Sequence, residues 1–222
     1  MAHSRQTCTS RIRQHPGRIK DVFLALSGIL VFATFIHHPF PLKMLAVGGL
    51  AGTAAVIGFS TRTTTLRKAF GLGFLNRRVL LYMLTGALMG VLMGILTRNR
   101  FELALIPAGL SGIALLAPLV GAAEELLFRG YIQGRLQPLG KVISVAGASA
   151  AHTFYKLLVI LSLSIPLQFD FFFLIFWTFL GGVLFGALRE LSGNTIPPVI
   201  AHAVFDILLY GTLSTAPVWV WS

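Results

Sequence analysis

LALIPAGLSGIALLAPLVGAAEELLFRG, Leu103 to Gly130, joins an apolar run without a single charge to two adjacent carboxylates and an arginine. The run is long enough to approach a membrane span, which takes about 20 residues to cross ~30 Å of hydrocarbon. Glu124, Glu125 and Arg129 then stand where a membrane helix tolerates ionisable groups only if they are paired or used, since each costs ~2.5 to 3.5 kcal/mol on insertion scales.

The rest of the chain has the same character. Of 222 residues, 55% are hydrophobic and 11% charged, with a mean hydropathy of +0.81, too little polar sequence to cover a water-soluble globule of this size. The formal charge of +11 raises nucleic acid as a partner, but the basic residues form short clusters between apolar segments rather than one polar face. That pattern excludes nucleic acid and points to topology. Windows of membrane length predict about seven spans, at 22–38, 43–60, 79–97, 102–122, 142–165, 170–188 and 196–217.

With the N-terminus cytoplasmic, thirteen basic residues fall inside: Arg5, Arg11, Arg13, Arg18, Lys20, Arg62, Arg67, Lys68, Arg77, Arg78, Arg135, Lys141 and Arg189. Only Lys43, Arg98 and Arg100 fall in outer loops. The positive-inside rule therefore predicts an all-α, polytopic transmembrane helix bundle with the N-terminus in and the C-terminus out. Residues 1–20 read as a basic cytoplasmic tail, and 21–222 as one membrane domain whose first span is an uncleaved signal anchor. Cys8, the single cysteine, excludes an intrachain disulfide. Residues 61–78 read as a basic cytoplasmic loop, with a surface helix as one form of it.

Polar groups within the spans are few, and helical spacing sorts them. Glu125 and Arg129 are four apart with the acid first, the better orientation for a pair, while Glu124 is rotated about 100° away. His202 and Asp206 are also four apart and share a face, so the carboxylate can hold the imidazole. His152 ends the small-residue run GASAAH, which would let a neighbouring helix approach closely. Lys156 shares the face of His152 and is read as snorkelling, pairing or touching substrate. FDFFFLIFWTFL, residues 169–180, reads as a lipid-facing surface rather than a substrate groove.

EELLFRG, the histidine in the following span and HAVFD in a later one together resemble the CAAX protease and bacteriocin-processing (Abi) family of intramembrane glutamic endopeptidases. The family pattern is E-E-x-x-x-R, F-x-x-x-H and H-x-x-x-N or D. It falls here on Glu124, Glu125 and Arg129, on His152, and on His202 and Asp206, a motif core of residues 121–206. One position departs, with Ala148 where the family has Phe.

The resemblance implies peptide-bond hydrolysis inside the membrane without a cofactor or metal. Glu124 is then the base that activates water, and His152 helps to position it. His202 and Asp206 face the carbonyl oxygen, and Glu125 and Arg129 support the helix end. A cavity open toward the cytoplasm is expected to admit water and a peptide or protein substrate from the bilayer. Family members are associated with C-terminal tripeptides of prenylated proteins, bacteriocins, signal peptides and C-terminal sorting helices, and the sequence does not choose among them. A prokaryotic plasma membrane is the expected location.

Two other readings stay open. A zinc protease would use Glu124, His152 and His202 as ligands, although no H-E-x-x-H pair lies on one helix. A non-catalytic membrane protein or transporter would use the same charges as a relay or a structural network.

Overall fold

The structure is a computed structural model describing residues 16–62, 65–163 and 170–213. Cys8, Arg5, Arg11, Arg13 and most of the basic tail, with the far ends of the fifth and seventh expected spans, lie outside the described residues. The described chain is a polytopic helix bundle without strands: α1 (Pro16–Phe35), α2 (Lys43–Ser60), the short α3 (Leu66–Ala69), α4 (Arg77–Arg100), α5 (Gly112–Glu125), a π-helical segment (Leu126–Ile132), α6 (Gln133–Leu136), α7 (Lys141–Leu161), α8 (Phe171–Ser192) and α9 (Ile196–Tyr210). By length and composition α2, α4, α7 and α8 can each cross a membrane. α1 opens with Arg18, Lys20 and Asp21, and α5 and α9 have 14 and 15 residues.

The fourth expected span needs correction at its start. Hydropathy places it at 102, yet the helix begins at Gly112, after irregular chain containing Pro107 and Gly109. Ser111 supplies the reason. Its hydroxyl accepts the Ala114 amide as an N-cap and donates to the Tyr210 carbonyl, while its own amide donates to Gly211. An apolar run of the right length is thus cut by proline and cap chemistry and strapped to the end of α9.

Helices approach one another through small residues, as membrane packing without a hydrophobic driving force requires. α4 lies against α9 at Gly90, where a Cβ would collide with the Ala201 carbonyl. α5 lies against α9 at Gly121, where a Cβ would come within 2.6 Å of Asp206 Oδ2 and 3.0 Å of the His202 ring. That second approach brings two motifs together.

The two ends of the bundle differ. At the basic end Arg135 pairs with Asp21 at 3.0 Å and donates to the Ser60 carbonyl at 2.7 Å, tying α1, α2 and α6. The 65–76 segment there is docked. Thr195 donates its hydroxyl to the Phe70 carbonyl at 2.7 Å and its amide to Gly71, and Gly130 leaves room for that same Phe70 carbonyl. Gly71 makes the turn with a left-handed φ of 64°. At the opposite end Arg98, expected in an outer loop, is buried and caps carbonyls of Ala104, Leu208 and Leu209.

Candidate active site

The last turn of α5 and the π-helical segment that follows present Glu124, Glu125 and Arg129. α7 presents His152 and Lys156, and α9 presents His202 and Asp206. All six motif residues are buried, and the structure brings them together. The wide π turn comes directly after Glu125, a feature often found where a helix carries function.

Glu125 and Arg129 pair as their spacing predicts, at 3.1 Å with both side chains wholly buried. The same Oε1 accepts His202 Nδ1 at 2.9 Å. Arg129 extends the network by contacting His152 Nδ1 at 3.2 Å. Because a guanidinium only donates, Nδ1 of His152 accepts, its ring proton sits on Nε2, and that nitrogen donates to Glu124 Oε2 at 3.2 Å. One buried arginine therefore orients both Glu125 and His152.

Asp206 does not hold His202. Its Oδ1 lies 3.8 Å from His202 Nε2, beyond hydrogen-bonding distance, and Glu125 takes the orienting place that the four-residue spacing suggested for Asp206. His202 Nε2 is left between Glu124 Oε2, 4.0 Å away, and Asp206. Glu124, in turn, lacks an arginine but not a cation: Lys156 Nζ stands 2.6 Å from its Oε1. The sequence leaves Lys156 open between snorkelling, pairing and substrate contact, and the structure pairs it with Glu124 in the site. The signal was available, a membrane lysine on the His152 face that needs an acid, but its partner lies on another helix.

Aromatic rings pack the imidazoles. Phe128 lies 4.7 Å from His152, and Tyr155 stacks on it at 16°. Ala148, the departure from the family pattern, is buried in the same cluster as Phe128 and Tyr155, the two aromatic neighbours of His152. Phe185 lies 5.6 Å from His202 and 5.8 Å from the Arg129 guanidinium.

A cavity of about 150 Å³ adjoins the cluster. Glu124, His152, Lys156, His202 and Asp206 line its polar part, and its apolar walls run past Trp177 to Phe101 and Phe173. The lining runs toward the Phe101–Phe173 end rather than toward the basic end, where the opening was expected. At the basic end Phe70 and Gly71 pack against Thr195 and Gly130. The phenylalanine-rich start of α8 is correspondingly two-sided: Phe172 and Phe176 face outward, while Phe173, Leu174 and Trp177 line the cavity.

Residues 105–208 match the family model described as type II CAAX prenyl endopeptidase Rce1-like. The chain thus carries an Rce1-like segment that spans every motif residue and agrees with the family resemblance drawn from the motifs, and its helices of membrane-crossing length make it an integral membrane protein. It is also similar to the inner membrane ABC transporter permease protein YjfF of Escherichia coli (strain K12), 31% identical over 133 residues, 54% of this chain and 36% of the permease. The chain therefore spans about a third of that relative's length. No solved structure matches.

Proposed function

We propose that the protein is an intramembrane endopeptidase in which Glu124 activates the attacking water. The observation that carries the reading is the convergence of Glu124, His152, His202 and Asp206, from three helices, on one cavity. Peptide hydrolysis needs a base within hydrogen-bond reach of water and donors aimed at the developing oxyanion. Glu124 fits the first role, with His152 fixing its Oε2. His202 fits the second as an imidazolium, with Nδ1–H on Glu125 and a second proton on Nε2, and Asp206 fits it beside His202 when its carboxyl carries a proton. Glu125 and Arg129 are positioning residues, acting through the two imidazoles they hold.

The substrate is a peptide or protein segment that enters from the bilayer or its surface, with apolar residues against Trp177 and Phe173. The basic end, with Arg77, Arg78, Lys141 and the docked segment, faces the cytoplasm of a prokaryotic plasma membrane. The residues form one membrane domain with its motif core at 121–206.

The test is cleavage of a membrane peptide library by the purified protein in lipid, with Glu124→Gln as the control. Products released equally by both proteins would sink the assignment.

The zinc reading has one observation in its favour, the meeting of Glu124, His152 and His202. The ring nitrogens oppose it: His152 donates one to Glu124 and offers the other to Arg129, so neither is open to a metal. No group of three or more His, Cys, Asp or Glu suited to a metal ion occurs among the described residues. Activity is expected to survive chelation, and one zinc per chain removed and restored together with activity would reverse this. The likeness to a permease favours transport, for which solute flux in liposomes is the decisive measurement.

A further inference from the structure

Hydrolysis of an amide needs a proton for the departing nitrogen as well as a base for water. The groups around Glu124 differ in whether they can supply one. His152 has both ring nitrogens engaged, Nε2 on Glu124 and Nδ1 on Arg129. Arg129 is wholly buried and does not surrender a proton. The Nδ1 proton of His202 is held by Glu125, and its other nitrogen faces the oxyanion side between Glu124 and Asp206.

Lys156 is placed differently. It lies one helical turn beyond His152 along α7, lines the cavity, and keeps about a fifth of its side chain exposed (21%). Its ammonium carries three protons on a flexible stem, and the 2.6 Å contact with Glu124 Oε1 engages at most one of them, so protons are left for the cavity.

We propose that Lys156 is the general acid that protonates the leaving amine, an inference that rests on Glu124 being the base. The proton account closes. Glu124 takes a proton from water as the water oxygen bonds to the carbonyl carbon, whose π pair moves to the oxygen. That pair returns, the C–N bond breaks, and the nitrogen takes a proton from the Lys156 ammonium. Glu124 then passes its proton to the neutral Lys156 amine across the 2.6 Å contact, which restores the starting ion pair.

The experiment compares a short apolar peptide with the matched aryl ester, whose phenolate departs without needing a proton. Both are assayed with the parent, Lys156→Met, Lys156→Arg and Glu124→Gln in the same lipid. Arginine keeps the charge beside Glu124 but cannot give up its proton. Both Lys156 variants are expected to lose roughly 10²- to 10⁴-fold in kcat/KM on the peptide and less than about tenfold on the ester. Recovery of peptide cleavage in Lys156→Arg would show that charge alone matters and would overturn the proposal, as would equal losses on peptide and ester. If Glu124→Gln cleaves both substrates like the parent, the base assignment falls and this inference falls with it. A loss in Lys156→Arg at an unchanged unfolding midpoint excludes misfolding as its cause.

Discussion

The α1–α2 pair and the α5–α7–α9 cluster solve one problem in two ways. Both must hold helices together where lipid is as apolar as the side chains. α1 and α2 do so with bare backbone: a Cβ on Gly28 would collide with Thr53 and one on Gly49 with the Gly28 carbonyl, while the Thr53 hydroxyl donates to the Ala25 carbonyl at 3.1 Å. The central helices use Glu125, Arg129, His152 and His202 in a connected buried network. Small residues give adhesion at little desolvation cost, whereas buried ions stabilise only when every partner is present. The expensive solution occurs where the cavity is, which is what a working site rather than simple adhesion requires.

That contrast can be broken in order of effect. Glu124→Gln should lower the cleavage rate by up to about 10⁴-fold, the upper range for a positioned acid–base group, with the unfolding midpoint little changed. A protein that instead unfolds would make Glu124 part of the structural network. Glu125→Gln should act the other way, costing about 3–5 kcal/mol of stability because Arg129 is left without its buried counter-charge. Chemical unfolding in mixed micelles measures it, and a change within error would mean that water reaches Arg129.

Gly28→Val, in the adhesive pair, should cost about 1–3 kcal/mol through overpacking and leave the kcat of the folded fraction intact. Loss of kcat at full folding would couple that pair to the site. Asp206→Asn should change kcat/KM by no more than about tenfold, or ~1.4 kcal/mol, because Glu125 rather than Asp206 orients His202. The amide keeps a donor on the oxyanion side, so a far larger loss would mean that the acid itself, and not only a donor, is needed at Asp206. Arg100 and Asp170, paired at 3.1 Å near the Phe101–Phe173 edge, are both about half exposed. Asp170→Ala should leave the unfolding midpoint unchanged within error.

Much of the site was legible in the sequence because part of its geometry is local. Four-residue spacing within one continuous helical run predicts the Glu125–Arg129 pair and separates Glu124 from it, and both hold even through the π turn. The same arithmetic failed for His202 and Asp206. Sharing a helix face makes contact available to two side chains but does not decide it, and a third group 2.9 Å away on another helix took the hydrogen bond. Lys156 was equally ambiguous, since its face was known and its acid was not.

Composition, hydropathy and helix spacing alone therefore determined an all-helical membrane protein and the places where polar groups interrupt its spans, and the motifs at those places carry the family resemblance. Each of these depends on a residue's neighbours along the chain. Only the tertiary structure decided that Glu125 holds His202, that Lys156 faces Glu124, that Phe128 stands beside His152, and that Phe70 docks on Thr195 at the basic end while the cavity lining runs to Phe101 and Phe173 at the other. These are contacts between helices, set by which small residues permit close approach, and the distance in space they create has no fixed relation to separation in sequence.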